Sequence, residues 1–303
     1  MGTQDRKEQI CPMKIQITFP RICALAMTCC FLFLTRAFLV LPSESSPSIP
    51  EPGPSGEGQT SFPLTKADLN TDPGSGSMID LSQLSDDYTI TQAGTYILTG
   101  EYNGQISVDA EEQIVHLYLK DVSIHSRSGP AILVNSAGKV VITLAEGTDN
   151  IIRDSAHYRG SDNQDASIYS SCDLTINGSG ALSLYGYYND ALHSRDTVKI
   201  LGGDIFLQSS GHGIQGNDGI LISAGSLRIE SKKSGLRTTK SGKDDRGTID
   251  LCGGQISVIA GEYSIVSSGD LYVRNCSVRT DSVLGQLDVA GSRFLTAGCL
   301  EDE

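Results

Sequence analysis

The chain has 303 residues, with 33 Gly, 11 Tyr, 7 Phe, no Trp and a formal net charge of −13. Residues 1–77 hold 6 Lys+Arg and 7 Asp+Glu, leaving 17 basic and 29 acidic residues in the rest, a net of −12. This balance argues against a nucleic-acid partner, whose phosphates need a basic face. The glycine-rich, aromatic-poor composition suits an elongated all-β body with frequent turns.

Ile22–Leu41 is a mostly apolar segment preceded by Arg6, Lys7, Lys14 and Arg21. That asymmetry keeps the N-terminus inside and sends the remainder across a membrane, so an extracellular or cell-surface location is expected. Arg36 interrupts the segment and no A-x-A site follows it, which leaves residues 1–41 open as a signal anchor or a cleaved signal peptide. Residues 42–77 are rich in Pro, Ser, Gly and Glu, and predict a disordered linker that holds a folded domain, residues 78–303, off a surface. Contact with the membrane is expected only through the N-terminal segment. Cys172, Cys252, Cys276 and Cys299 lie in the domain at spacings that fit neither zinc nor CxxC chemistry, and are expected as small filling residues near turns.

From Asp165 to Asp281 the sequence repeats about every 22 residues. Ile168, Leu192, Ile214, Leu236 and Ile265 open successive units. A second column runs through Leu174, Val198, Ile220, Ile249 and Leu271, once an insertion after Leu236 is allowed for. Pairs such as Ile205/Leu207, Leu227/Ile229 and Ile256/Val258 close the units. Each unit reads as three short alternating strands separated by turns. Such a unit buries its apolar side only when the next copy stacks on it, so the period predicts a β-solenoid with outward residues aligned in columns at about 4.8 Å per coil.

The stretches YTITQAGTYILTG (88–100), QISVDAEEQIVHLYLKDVSIHSRSGPAILVNSAGKVVITLAEGTDNII (105–152) and DLTINGSGALSLYGYYNDALHS (173–194) carry more than a period. Over about residues 78–290 the chain resembles a family of bacterial secreted carbohydrate-binding domains of a clostridial type that binds cellulose and polygalacturonate. The phrases LKDVSI, VVITLAEGTDN and LTINGSG are specific to it. The resemblance implies a right-handed parallel β-helix like that of pectate lyases, calcium (Ca2+) among the coil loops, and polysaccharide binding without demonstrated cleavage. Its repeated phrase, approximately N-D-G-I-[HK]-S-x-D, matches Asn189 to Asp196 and marks Asp190 and Asp196 as metal ligands, joined by Asp218 in the column through Asp196. Later units lose these acids, so fewer or weaker ions are expected than the family pattern implies. The insertion carries Asp244 and Asp245, which read equally as cation ligands or as a solvated loop offset by Lys240, Lys243 and Arg246.

Three classes of function remain. Asn163-Gln164-Asp165, Asn189-Asp190, Gly211-His212-Gly213 and Arg237 are placed like polygalacturonase motifs, but Ala191 replaces the second acid that an inverting glycosidase needs. A calcium-dependent lyase would use Arg237 as base, a poor one at neutral pH. The reading taken is a non-catalytic binder. His193 and Arg237 share an outward column with Gln215, flanked by Lys199 and Arg195, and Tyr187 and Tyr188 stand at one turn. These residues supply the cations for uronates and the aromatic platforms for sugars. A purely structural stalk or adhesin is the third class.

Overall fold

The computed structural model describes residues 60–158, 164–242 and 246–302. Ile22–Leu41 and the pair Asp244 and Asp245 lie outside them. Among the described residues no helix is long and apolar enough to cross a membrane.

The right-handed parallel β-helix expected above, a solenoid of three separate short strands per 22-residue rung, is corrected by the strand pairing. The body is all-β and every described strand pair is parallel, but the strands form two sheets, of 15 and nine strands. Within the larger one, six strands pair in turn and close on themselves: Ile114–His125, Lys139–Leu144, Leu174–Gly178, Thr197–Ser209, Ala181–Gly186 and Asp149–Arg153, which returns to Ile114–His125. The physical reason lies in the corners. Where the sequence suggests a turn between two strands, Thr197–Ser209 continues as one strand of 13 residues, bending at Gly203, whose φ of 95° an L side chain rarely adopts. Ile114–His125 bends in the same way at Asp121, φ 54°. Two expected faces are thereby fused into one sheet that curls onto itself.

The smaller sheet runs in the order Tyr88–Ile90, Ile106–Asp109, Ile132–Ser136, Ala166–Ser170, Asp190–Ser194, Ile214–Gly216, Leu236–Arg237, Tyr263–Ser267 and Gly285–Val289. Its register pairs Ile132 with Ile168, Leu192, Ile214, Leu236 and Ile265 in succession, so the apolar column read from the repeat is present. All six side chains are fully buried in one core cluster that both sheets share. Alternation along each strand then sends the neighbours of these residues outward.

Part of the expected linker is ordered against the larger sheet. Residues 60–76 cross the outer face of that sheet, and Thr65 caps a four-residue helix, Lys66–Leu69, through a reciprocal pair of bonds with Asp68. The Asp68 carboxylate is fully buried. It accepts from Lys139 Nζ at 2.7 Å, Thr175 Oγ1 at 2.6 Å and Lys199 Nζ at 3.3 Å. Burial alone would raise its pKa, yet the bonds from Lys139, Thr175 and Thr65 hold it well below the usual carboxylate range. Asn177 Nδ2 donates to the carbonyls of Asp68 and Asn70, Lys199 Nζ to that of Pro63, and the Ser61 N–H to Asp250. The Thr60–Gly76 strap is attached mainly through polar groups, with one apolar contact where the buried Phe62 ring packs on Gly219. Cys172, Cys252, Cys276 and Cys299 are all free.

Breaking one partner of a buried ion group leaves the others uncompensated. Asp68→Asn is therefore expected to lower the unfolding free energy by roughly 3–5 kcal/mol. Asp68→Leu combined with Lys139→Met and Lys199→Met should recover most of that loss. Equilibrium urea unfolding of the three proteins measures both effects.

Candidate functional site

Parallel pairing places His193, Gln215 and Arg237 directly above one another on the outer face of the smaller sheet. Three residues before His193, Asp190 opens the strand Asp190–Ser194 and pairs with Ala166 of the preceding strand. The residue before Ala166 is Asp165. One polar network joins these positions. His193 Nδ1 lies 2.9 Å from Asp165 Oδ1, and His193 Nε2 lies 2.8 Å from Gln215 Nε2. The amide must donate to Nε2, so Nδ1 carries the proton and donates to Asp165. Gln215 Oε1 in turn faces Arg237 Nη1 at 3.5 Å, and the same Nη1 lies 2.7 Å from His212 Nε2. The loop closes through the His212 N–H, which donates to Asp190 Oδ1 at 2.7 Å.

The charges in this network are pushed apart by their surroundings. Burial raises the Asp190 carboxyl to about 7, with the His212 N–H offsetting part of the shift and the Asp165 charge adding to it. Burial also works to raise Asp165, but the His193 ring overrides it and lowers its pKa. For His212, burial and then the Arg237 guanidinium push the imidazole down to about 3, which suits a ring whose Nδ1 faces the Ser234 N–H at 3.1 Å. Gly211 is explained here, because a Cβ at that position would collide with the side-chain oxygens of Asn189 and Asp190. The Gly-His-Gly motif thus has a packing cause that needs no catalysis.

Asp165, Asp190 and His193 each offer a ligand atom within 4.8 Å of the others, and no other group of three meets that limit among the described residues. With the His193 Nδ1 proton donated to Asp165, an ion at this group would be held first by the two carboxylates, and the imidazole would join them only on loss of that proton.

The expected set Asp190, Asp196 and Asp218 is not brought together. Asp190 opens the strand Asp190–Ser194 and Asp196 lies two residues past its far end, with strand residues rising about 3.3 Å each. Asp196 and Asp218 share a built-in cation, since Lys240 Nζ sits 2.7 Å from Asp218 and 3.7 Å from Asp196 and also donates to the Arg195 carbonyl at 2.9 Å. Where the family phrase has an acid, Lys240 supplies the positive charge that a metal would. The Arg195 side chain is exposed at this same corner. Lys199 does not flank the His193 column. It belongs to the larger sheet and is buried beneath the strap on Asp68.

The two tyrosines also part company. Tyr188 stacks on Tyr158 with ring centroids 4.1 Å apart, and the Tyr158 hydroxyl donates to the buried Asp154. Tyr187 is half exposed beside a cleft in the larger sheet. Sequence reasoning used Asp165 only within an N-x-D motif and missed its place in the site. The signal was available, because Asp165 occupies the slot of Asn189 one repeat earlier.

A model of the carbohydrate-binding domain-containing protein family matches residues 85–290. A carbohydrate-binding domain-containing protein of Acetivibrio thermocellus is 31% identical over 217 residues, covering 70% of this chain and 76% of that protein. A solved structure of the polysaccharide lyase-like protein from C. thermocellum, a gadolinium derivative, aligns with a TM-score of 0.72 at 28% identity, over 75% of this chain and 98% of that one.

The raised Asp190 pKa has a direction that unfolding measures. The proton stabilises the fold fully below the unfolded value of 3.8, and this contribution is lost as pH rises through about 7. Asp190→Asn retains an acceptor for His212 and has no proton to lose. It is expected to match the parent near pH 4 and to exceed it at pH 8, by up to ~4 kcal/mol in urea unfolding.

Proposed function

We propose that this chain, which belongs to the carbohydrate-binding domain-containing protein family, is an exported, non-catalytic binder of acidic polysaccharide assisted by a calcium-type cation. The observation that carries the reading is the juxtaposition of the Asp165, Asp190 and His193 group with Arg237 on one outward column. The two carboxylates would hold the cation, which would supply positive charge for a uronate, while the Arg237 guanidinium takes a carboxylate as a charge-assisted pair. That positive charge explains how a domain of net charge −12 attracts a polyanion. Export rests on the apolar segment Ile22–Leu41 and the basic residues ahead of it.

Binding is favoured over cleavage for two reasons. Ala191, which stands where a glycosidase has its second acid, is fully buried in the core. Arg237 lies against His212 and Gln215, and a guanidinium is a poor base near neutral pH. One observation favours the enzymatic alternative: two close carboxylates with pKa values driven in opposite directions resemble an acid and base pair. Asp190 is only 1% exposed, which withholds it from a glycosidic oxygen.

Polygalacturonate binding is expected to disappear with EGTA and return with calcium in isothermal calorimetry. Asp190→Ala and Arg237→Ala should each weaken it about tenfold or more, in line with the loss of a charge-assisted contact. No unsaturated or reducing ends should form. Binding that ignores EGTA would remove the cation from the mechanism, and product release abolished by Arg237→Ala would make the protein a lyase.

A further inference from the structure

We propose that the far end of the body, formed by its last strands, is a self-recognition surface on which a second copy of this chain docks about a two-fold axis, edge strands pairing antiparallel. The inference rests on strand edges and core residues. It uses neither the cation group nor the reading of the protein as a carbohydrate binder.

The two ends of the body are finished differently. At the first, Asp80 caps the one-turn helix Leu81–Gln83 by accepting from the Ser82 N–H at 3.1 Å, Leu81 is fully buried, and Leu84 packs against the same core. That end is shut. At the other, Gly285–Val289, Arg293–Leu295 and Leu300–Asp302 each pair on one side only among the described residues, with Tyr263–Ser267, Leu271–Val273 and Ser277–Ser282 respectively. The core is uncovered there. Ile265, Val273 and Val278 are fully buried, but of their register partners Leu287 and Leu300 are only half-buried and Leu295 is 43% exposed. In the adjoining turn Val283 is 78% and Leu284 61% exposed. Apolar side chains beside unpaired backbone N–H and C=O groups form a template for another chain.

The surface that fits this template is the template itself. Round the body the last strands follow in the order Gly285–Val289, Arg293–Leu295, Leu300–Asp302, and a two-fold axis through Leu287 reverses that order. Gly285–Val289 then meets itself, Leu287 on Leu287 and Gln286 beside Asp288, while Arg293–Leu295 of each copy meets Leu300–Asp302 of the other. Leu295 comes against Leu300, and Arg293 arrives beside Glu301. Apolar thus meets apolar, and the cation meets an acid.

Arg293 decides which partner is accepted. It ends the inward column of Leu174, Val198, Ile220, Ile249 and Leu271, and a guanidinium in that place rejects a neighbour that brings no carboxylate. A second copy brings Glu301, whose contact with Arg279 at 3.5 Å joins two exposed side chains and is easily shared. Head-to-tail addition would build a filament, but the turn at Leu81 leaves no open apolar end to receive Leu287, Leu295 and Leu300. The two-fold contact closes at two copies. It also carries the smaller sheet through the interface, and because Arg237 lies two strands from the edge, the two Arg237 residues would share one face about five strand spacings, roughly 24 Å, apart.

Sedimentation velocity of the full chain in detergent, over a hundredfold range of concentration, reads the assembly. A dimer and nothing larger is expected. Arg293→Glu, which sets acid against acid, should weaken dimerisation at least tenfold, as should Leu284→Ser, whereas Arg293→Lys should keep it. Both positions are exposed, so the replacements are local, and circular dichroism checks the folding of each variant. The apolar segment Ile22–Leu41 is a second route to association, so the contact is also located directly. Leu287→Cys, oxidised with glutathione disulfide, is expected to give a disulfide joining position 287 of two chains, found by peptide mass mapping without reduction and lost when Arg293→Glu is added. A chain that stays monomeric, a dimer indifferent to Arg293→Glu, assemblies that keep growing with concentration, or a Leu287→Cys chain with no 287-to-287 link would each overturn the proposal.

Discussion

Parallel pairing in near-constant register is the constraint from which the rest of this molecule follows. Each residue meets the residue one repeat away at about the interstrand spacing, so the side chains form columns rather than isolated contacts. Inside, a column of Ile132, Ile168, Leu192, Ile214, Leu236 and Ile265 closes without a gap, because one β-branched or leucyl side chain packs on the next. Outside, the same rule is dangerous. Any charge would be stacked on its like, so each exposed column has to change identity from strand to strand.

The polar columns show how that is done. His193, Gln215 and Arg237 succeed one another as ring, amide and cation, each bonded to the next. Asp196 and Asp218 do stack as like charges, and Lys240 relieves them from the following repeat. At Asp165 and Asp190 two acids approach each other without a lysine between them, and burial answers the repulsion by keeping a proton on one of them near neutral pH. A cation that takes the place of that proton restores both charges. The pair is therefore a place where the column rule is left unsatisfied, and it is there that the cation of the proposed function would sit.

Much of this was legible in the sequence, and the failures have a common cause. The 22-residue period located the core column and the His193, Gln215 and Arg237 stack, since both depend only on residues one repeat apart. The division of the sheets was not legible. Whether a chain turns or continues at Gly203 depends on how neighbouring strands pair across the corner, and the local sequence reads the same in both cases. Lys199 was misassigned for a similar reason: alternation sent it outward correctly, but its partner is Asp68, 131 residues away in a segment of turn-like composition. Asp190 and Asp196 were grouped because a motif joins them, although the strand between them keeps them apart. Columns are visible in a repeat; what covers a face from elsewhere in the chain is not.

The strap has one more consequence, which concerns force. A chain pulled from its N-terminal side would ordinarily peel a stacked sheet from its first strand, here Ser77–Asp80, breaking bonds one at a time. In this protein a pull ahead of Thr60 arrives first at Asp250 and then at Lys199, Lys139 and Asn177, side chains from four different strands in the middle of the larger sheet. The load is shared among those strands as shear, and Ser77–Asp80 stays behind the clamp with its pairing to Gly94–Tyr102 unstressed. A domain gripping a polymer at one end of its chain and held at the other would thus be anchored through its interior.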